Sequence, residues 1–386
     1  MDQSIQMMDN PAGIQSELPF LFADDTGKIY LSWVEPGAEE DETVHYYSSY
    51  DGNGWVDPHV IAKSNSWFVN WADYPSLVAN SGKALAAHEL YKIPGSPYSY
   101  NVHLRFNKNG SWKEPITPHF DSTATEHGFV SLYPLSNEEV FAIWLDGRQT
   151  HDRTDQQYFD LDKAMTLRSA TIHASGEVTQ KQLVDSSVCD CCQTSLARTG
   201  KGMIAAYRNR TDEEIRDIYV SRYQQGKWSD PEPVHNDNWK IGACPVNGPK
   251  ITADGSIVLV AWYTSAQNTP MVKASISRDY GETFEQPVII EESKTIGRVD
   301  VAIGADSSFY VSRIGETPDG GHALKVSRIS PSSKLDTTYA IAPMNSSRSS
   351  GFPQMELSDN MLYFAWTDIV DDSTHRILTA SMEIQP

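Results

Sequence analysis

The sequence predicts an all-β fold, a β-propeller of seven four-stranded blades. Three observations point there. Pairs of short β-rich runs recur seven times along the chain. A third run follows each pair, and several are closed by a Gly-containing turn and a fourth run. The length of 386 residues suits a propeller as one unit, and 39% hydrophobic content with ten Trp, eighteen Tyr and twelve Phe supplies the core. Residues 1–386 are therefore expected to form a single domain, with a six-bladed ring as the alternative.

In chain order, the first module pairs residues 20–22 with 29–33, the second 74–77 with 84–87 and the third 128–132 with 140–144. The fourth pairs 194–197 with 203–207, the fifth 249–251 with 258–262, the sixth 299–302 with 309–312 and the seventh 352–355 with 362–366. Polar turns such as Asp254-Gly255 split the pairs. A period of roughly 50–60 residues fits a blade a little longer than the common repeats. Acidic residues or Gln followed by Pro open several fourth runs: Asp57-Pro58, Glu114-Pro115, Asp230-Pro231 and Gln286-Pro287. The seventh module has room for only three strands. An N-terminal strand from about Ser4 to Met8 is expected to complete it and close the ring.

Third-run turns are sharpest at 49–55 and 277–284. In the second, Asp279 is placed to accept backbone N–H groups, Gly281 supplies positive φ, and Phe284 packs between blades. This Ser-x-Asp-x-Gly-x-Thr-Phe string resembles the Asp-box, or BNR repeat, of sialidase-like propellers, which marks the fold and is not catalytic.

The formal charge of -20 and the lack of a Lys/Arg cluster disfavour nucleic acid and anionic membrane as partners. No apolar run is long enough to span a bilayer, and residues 1–11 lack the apolar core of a signal peptide. Four cysteines are too few for a disulfide scaffold, and their clustering suggests local chemistry.

Chemically unusual residues gather just before the first strand of each module. They are Trp71 and Asp73, Glu126 and His127, Cys189, Cys191 and Cys192, Cys244 and Asn247, Arg298 and Asp300, and Ser350-Gly351. First strands line a propeller's channel, so their lead-ins converge on one axial mouth. The residues differ at every lead-in, which suggests an asymmetric pocket on a repetitive scaffold.

Three cysteines within Cys-Asp-Cys-Cys (189–192) and a fourth at Cys244 offer soft ligands for Cu(I), Zn(II) or an iron–sulfur centre. His127 is a candidate fifth ligand or a general base. Two disulfides are the structural alternative. Glu126, Asp73, Arg298 and Asp300 are candidate catalytic groups. Asp73 and Asp300 are equally suited to capping backbone amides, and Arg298 to an inter-blade salt bridge. Trp71, Lys240 and Asn247 are candidate substrate contacts. Asp146 and Arg148 are expected to pair and turn their loop, residues 149–163 to form a lid, and the stretch 213–217 to make an ion-pair corner. His45, His59 and His119 read as structural.

Eight strings together resemble one family of bacterial sialidase-like propellers. They are Trp-Phe-Val-Asn-Trp-Ala-Asp (67–73), Thr-Glu-His-Gly-Phe-Val-Ser-Leu (125–132), Trp-Leu-Asp-Gly-Arg (144–148) and Cys-Asp-Cys-Cys-Gln-Thr (189–194) in the first half. Asp-Glu-Glu-Ile-Arg-Asp-Ile (212–218), Trp-Lys-Ile-Gly-Ala-Cys-Pro-Val-Asn-Gly-Pro (239–249), Gly-Arg-Val-Asp-Val (297–301) and Ser-Gly-Phe-Pro (350–353) follow. The resemblance implies an exported protein, periplasmic or secreted. Sialidases themselves resemble one another in an arginine triad, and here only Arg298 and Arg348 sit at lead-ins. The leading expectation is thus a thiolate metal centre, copper before zinc, serving redox chemistry on a small molecule or peptide. The alternatives are a glycan-active hydrolase using Glu126, Asp73 and Asp300, and a non-catalytic binding propeller with structural disulfides and no metal. Oligomeric state is not encoded legibly.

Overall fold

The computed structural model describes residues 5–371 and 374–384. Seven antiparallel sheets form the ring, and the modules fall one to a sheet in the predicted order. The innermost strands are Glu17–Ala23, Ser76–Asn80, His127–Pro134, Ser195–Thr199, Lys250–Asp254, Thr295–Ile303 and Gln354–Ser358. The seventh blade continues through Met361–Ile369 and His375–Glu383 and ends on Ile5–Met8, so its fourth strand comes from the other end of the chain. Ser4, where that strand was expected to begin, lies outside the described residues. No helix among the described residues is long and apolar enough to cross a membrane.

Burial explains why the second run of each module reads as almost continuous apolar sequence. Glu139–Asp146 is buried at every position after its first, because neighbouring sheets cover both of its faces. Trp33, Trp144, Trp262 and Trp366 sit on these second strands and are almost wholly buried. The outer strands are uneven. Blade two ends on Ser111–Trp112, and blade four on Lys227–Trp228 with the detached pair Glu232–Pro233. Pro115 and Pro231 follow these short strands, and proline cannot donate to a ladder.

At 277–284 the turn chemistry is explicit. Asp279 accepts from the Thr283 amide at 2.9 Å and from its hydroxyl at 2.6 Å, and Gly281 takes φ 82°. Phe284 packs against the core shared by blades four and five.

Inner strands carry a second device. The register slips between Glu17 and Phe20, between Gly128 and Ser131, and between Gly297 and Asp300. Leu18, Phe129 and Arg298, inside these bulges, take φ 54°, 51° and 57°. A bulge with a left-handed residue re-aims side chains where a strand leaves its ladder. Here it does so at the mouth of the ring.

Candidate functional site

Polar side chains at four of the lead-ins fasten one blade to the next. Asp73 accepts from the Phe129 amide at 2.7 Å, and Gln193 from the Gly248 amide at 2.9 Å. Asn247 accepts from the Arg298 amide at 2.8 Å, and Asp300 from the Met355 amide at 2.9 Å. Each satisfies a buried N–H that the bulged or irregular strand start leaves without a ladder partner. Asn247 and Asp300 are thus structural in their contacts. Asp300 faces the channel cavity of about 230 Å³ beside Lys250, 3.7 Å away.

A second cavity, of about 490 Å³, opens at the mouth, lined in part by Trp71, Asp73, Tyr100, Glu126, Cys191 and Cys244. Its floor is apolar: Trp71 stacks on Phe352 with centroids 5.8 Å apart, and Phe129 and Val246 pack in the same cluster. Asp73 lines both cavities.

All four cysteines meet at this mouth. Val178–Val188 delivers the first three, and the Cys189 amide is tied to the Arg208 carbonyl at 2.9 Å. The sulfurs of Cys189, Cys191 and Cys192 lie within 4.8 Å of one another, with Cys189 and Cys192 3.5 Å apart. Cys244 arrives on the next blade's lead-in and lines the mouth cavity with Cys191. None is in a disulfide. The neighbouring thiols, Cys191 foremost, and the Arg216 guanidinium, which donates at 3.4 Å, hold the Cys189 thiol well below the usual range. Cys191 is pushed far up chiefly by its hydrogen bonds with Cys189, Cys192 and Cys244, and Cys192 to about 12, chiefly by burial. Arg216 thus favours a thiolate at Cys189.

The expected ion-pair corner supports this charge. Glu214 pairs with Arg216 at 2.6 Å and with Arg210 at 2.7 Å. From residues 149–163, Tyr158 stacks under Arg210 and lines the mouth cavity, and Arg153 pairs with Asp190 at 2.7 Å. The insertion thus covers the cysteine loop.

Across the cavity, the Tyr100 hydroxyl lies 2.6 Å from Glu126 and 3.0 Å from Asp73. Burial raises Glu126 to about 8 and Asp73 to about 7. Gly128 is required beside them, since a Cβ there would fall 2.0 Å from the Asp73 carboxylate.

His127 goes elsewhere. It follows Glu126 on an extended chain, so the two side chains point to opposite sides. Its ring stacks on His119 and sits 3.2 Å from Asp121, three strands away from Val188 in the same sheet. The structure does not bring it to the sulfurs. Arg298 donates to Ser350 and to the Gly351 carbonyl, both at 2.8 Å, and lies over Trp71. Among the described residues it makes no salt bridge, so its inter-blade role is played by hydrogen bonds and ring contacts. Lys240 is exposed and lines neither cavity. Asp146 and Arg148 pair through two contacts, at 2.6 and 2.7 Å. Tyr100, Arg216, Tyr158, His119 and Asp121 were not singled out as functional from sequence. Each lies on a third strand or a connection; Arg216 and Tyr158 fell within the expected ion-pair corner and lid, and no local pattern marks the others.

No family model and no curated protein sequence matches the chain. Among solved structures, a protein of unknown function from Dyadobacter fermentans DSM 18053 is 11% identical over 99% of this chain and 98% of that one, with a TM-score of 0.52. The phage phi92 endosialidase is 9% identical over 100% of this chain and 70% of that one, with a TM-score of 0.49. A PL25 ulvan lyase is 11% identical over 84% of this chain and 78% of that one, with a TM-score of 0.45. At 11% identity the first of these shares the fold alone with this chain.

Proposed function

We propose that the protein is an exported propeller whose four cysteines hold a soft metal ion, copper(I) before zinc(II), at the mouth of the ring, for redox chemistry on a small molecule or peptide. The observation that carries this reading is the meeting of three cysteine sulfurs within 4.8 Å of one another, with Cys244 lining the same cavity as Cys191. Metal–sulfur bonds of about 2.3 Å set neighbouring sulfurs roughly 3.8 Å apart in a tetrahedral site, and the 3.5 Å between Cys189 and Cys192 suits that spacing. Cys189, Cys191, Cys192 and Cys244 would be the ligands, and a copper ion would supply one-electron chemistry. Arg216 offsets the anionic charge of the thiolates. Glu126, kept protonated, is placed to give or take a proton at a ligand in the cavity, while Trp71 and Tyr158 wall it from water.

Elemental analysis after reconstitution with Cu(I) or Zn(II), read beside a free-thiol count, tests the reading. About one metal per chain fewer in Cys191→Ser/Cys192→Ser than in the native protein, with the β circular dichroism intact, is the expected result. Metal content unchanged in that variant, or no metal and no free thiols in the native protein, overturns it.

A second reading is favoured by Glu126, Tyr100 and Asp73. Two acids within reach of one hydroxyl are closer than the about 6.5–9.5 Å that an inverting glycosidase needs for its water. A glycan-active hydrolase built here would therefore be of the retaining kind. Glu126→Gln would abolish hydrolysis while Cys191→Ser left it standing, the reverse of the pattern expected for the metal reading.

A further inference from the structure

We infer that His119, Asp121 and His127 form a second cation site, for a borderline divalent ion of the zinc class, that clips the long connection of blade two onto blade three. It shares no residue with the cysteine cluster and does not depend on the reading of that cluster.

Blade two ends on a two-residue strand, Ser111–Trp112. Residues 113–126 then run to the third blade without a strand of their own, held by single bridges such as Leu104 to Ile116 and Tyr100 to Glu126. So long a bare connection needs an anchor. His119 and Asp121 lie in it, and His127 opens the next blade. Asp121 is fixed through one oxygen, which accepts from the Thr123 hydroxyl at 2.5 Å. Its other oxygen lies 3.3 Å from His119 Nδ1 and 3.2 Å from His127 Nε2. Bonds of about 2.0–2.2 Å to nitrogen and oxygen place adjacent ligand atoms roughly 3.3 Å apart. Asp146, 3.8 Å from His127 Nε2, stands as fourth ligand or outer partner.

The donor atoms are also poorly satisfied. Both ring nitrogens of His119 and of His127, and the inner oxygen of Asp121, are buried and without a well-aligned hydrogen bond. Both imidazoles are at least nine-tenths buried. Such orphaned groups are costly unless something satisfies them. The rings stack nearly parallel, 3° apart, so closing on a cation requires one to turn about its Cβ–Cγ bond, a soft torsion. Arg148 bridges Asp121, at 3.3 Å, and Asp146, at 2.6 Å, neutralising both meanwhile; over a quarter exposed, it gives up the Asp121 contact when a cation takes its place. Arg168, 3.7 Å from Asp146, pairs with that carboxylate instead.

Two imidazoles and a carboxylate select zinc-class ions over magnesium or calcium, which prefer all-oxygen shells. The test uses Co(II) and Zn(II) on the whole chain carrying Cys191→Ser/Cys192→Ser. About one Co(II) per chain should still bind, with weak ligand-field bands and no thiolate charge-transfer band. Zinc-edge absorption of the same protein should show a nitrogen and oxygen shell without sulfur. Adding His119→Gln and Asp121→Asn should weaken binding by more than about 100-fold, beyond the about 10–100-fold that loss of an outer partner gives. No ion bound in the cysteine-deficient protein, sulfur in its shell, or binding untouched by the added substitutions would overturn the site. Should the added substitutions prevent folding, the absorption edge of the parent still decides.

Discussion

Tyr100 has one proton to give and two acids to receive it. Glu126 and Asp73 rise to about 8 and 7 from ordinary values of 4.5 and 3.8. Each binds its proton more tightly in the folded state than in the unfolded one. Between the ordinary and the raised value the folded state therefore holds more protons, and stability falls as pH rises through that window, by about 1.4 kcal/mol per pH unit for each proton retained. Urea midpoints at pH 5, 6.5 and 8 should decline more steeply for the native protein than for Glu126→Gln; equal slopes would refute the assignment. Arg216 makes a different prediction. It binds Glu214 and the Cys189 sulfur while fully buried. Arg216→Met leaves Glu214 its Arg210 partner, so the loss should fall near the lower end for a broken buried pair, about 3 kcal/mol, read as a shift in urea midpoint. Thiol labelling should follow access rather than acidity. Cys244 is exposed, Cys191 half-buried, and Cys189 and Cys192 are 1% and 2% exposed. Peptide mapping after brief iodoacetamide treatment should find Cys244 modified first, and labelling of Cys189 ahead of it would contradict the geometry.

At the scale of elements, the fasteners and the insertion decide how the site is held. Gly248 has no room for a side chain, since a Cβ would sit 2.1 Å from the Gln193 carbonyl. Gly248→Ala must push blades four and five apart, a cost of about 1–3 kcal/mol, and should weaken metal uptake along with thermal stability. Tyr158→Ala should speed labelling of Cys244 several-fold without changing the β signal. The sequence made some of this legible. Cysteines are rare and were visible wherever they stood, and Asp73 and Asp300 could be weighed as amide caps because their position before a strand suggests that duty. The partition of Glu126 from His127 was hidden, because adjacent residues on an extended chain part company and only the bulge at Gly128 to Ser131 fixes which one faces the mouth. Tyr100 was hidden because it opens the third strand, Tyr100–Lys108, of a different blade. His119 read as structural because its partners, Asp121 and His127, meet it only in space.

For the molecule as a whole, the count of seven blades was readable from seven pairs of short runs, since a second strand covered on both faces must be apolar throughout. The uneven outer strands were harder to foresee. Proline after a run marks where pairing stops without saying how few residues precede it. Closure rests on Ile5–Met8, which pairs with Thr379, Ala380, Ser381 and Met382. Deleting residues 1–9 should cost about 2–6 kcal/mol, one net hydrogen bond for each of the four paired residues, and should leave the His375–Glu383 edge bare. A lowered urea midpoint with a retained β spectrum is the expected reading, and an unchanged midpoint would mean that the ring closes without that strand.

The cysteine set also has a mechanical meaning. Its sulfurs come from two neighbouring lead-ins and so span the joint between blades four and five, whereas the seventh blade holds its last strand by four residue pairs, one side-chain hydrogen bond and the packing of Ile5. Pulled from its two ends, the molecule carries the first load on that short strand, which peels one bond at a time. The joint bridged by the thiols lies deep in the chain and is reached late. A bound ion there would act as a rivet, and the force trace of a single molecule would show it as a late, abrupt rupture that a chelator removes.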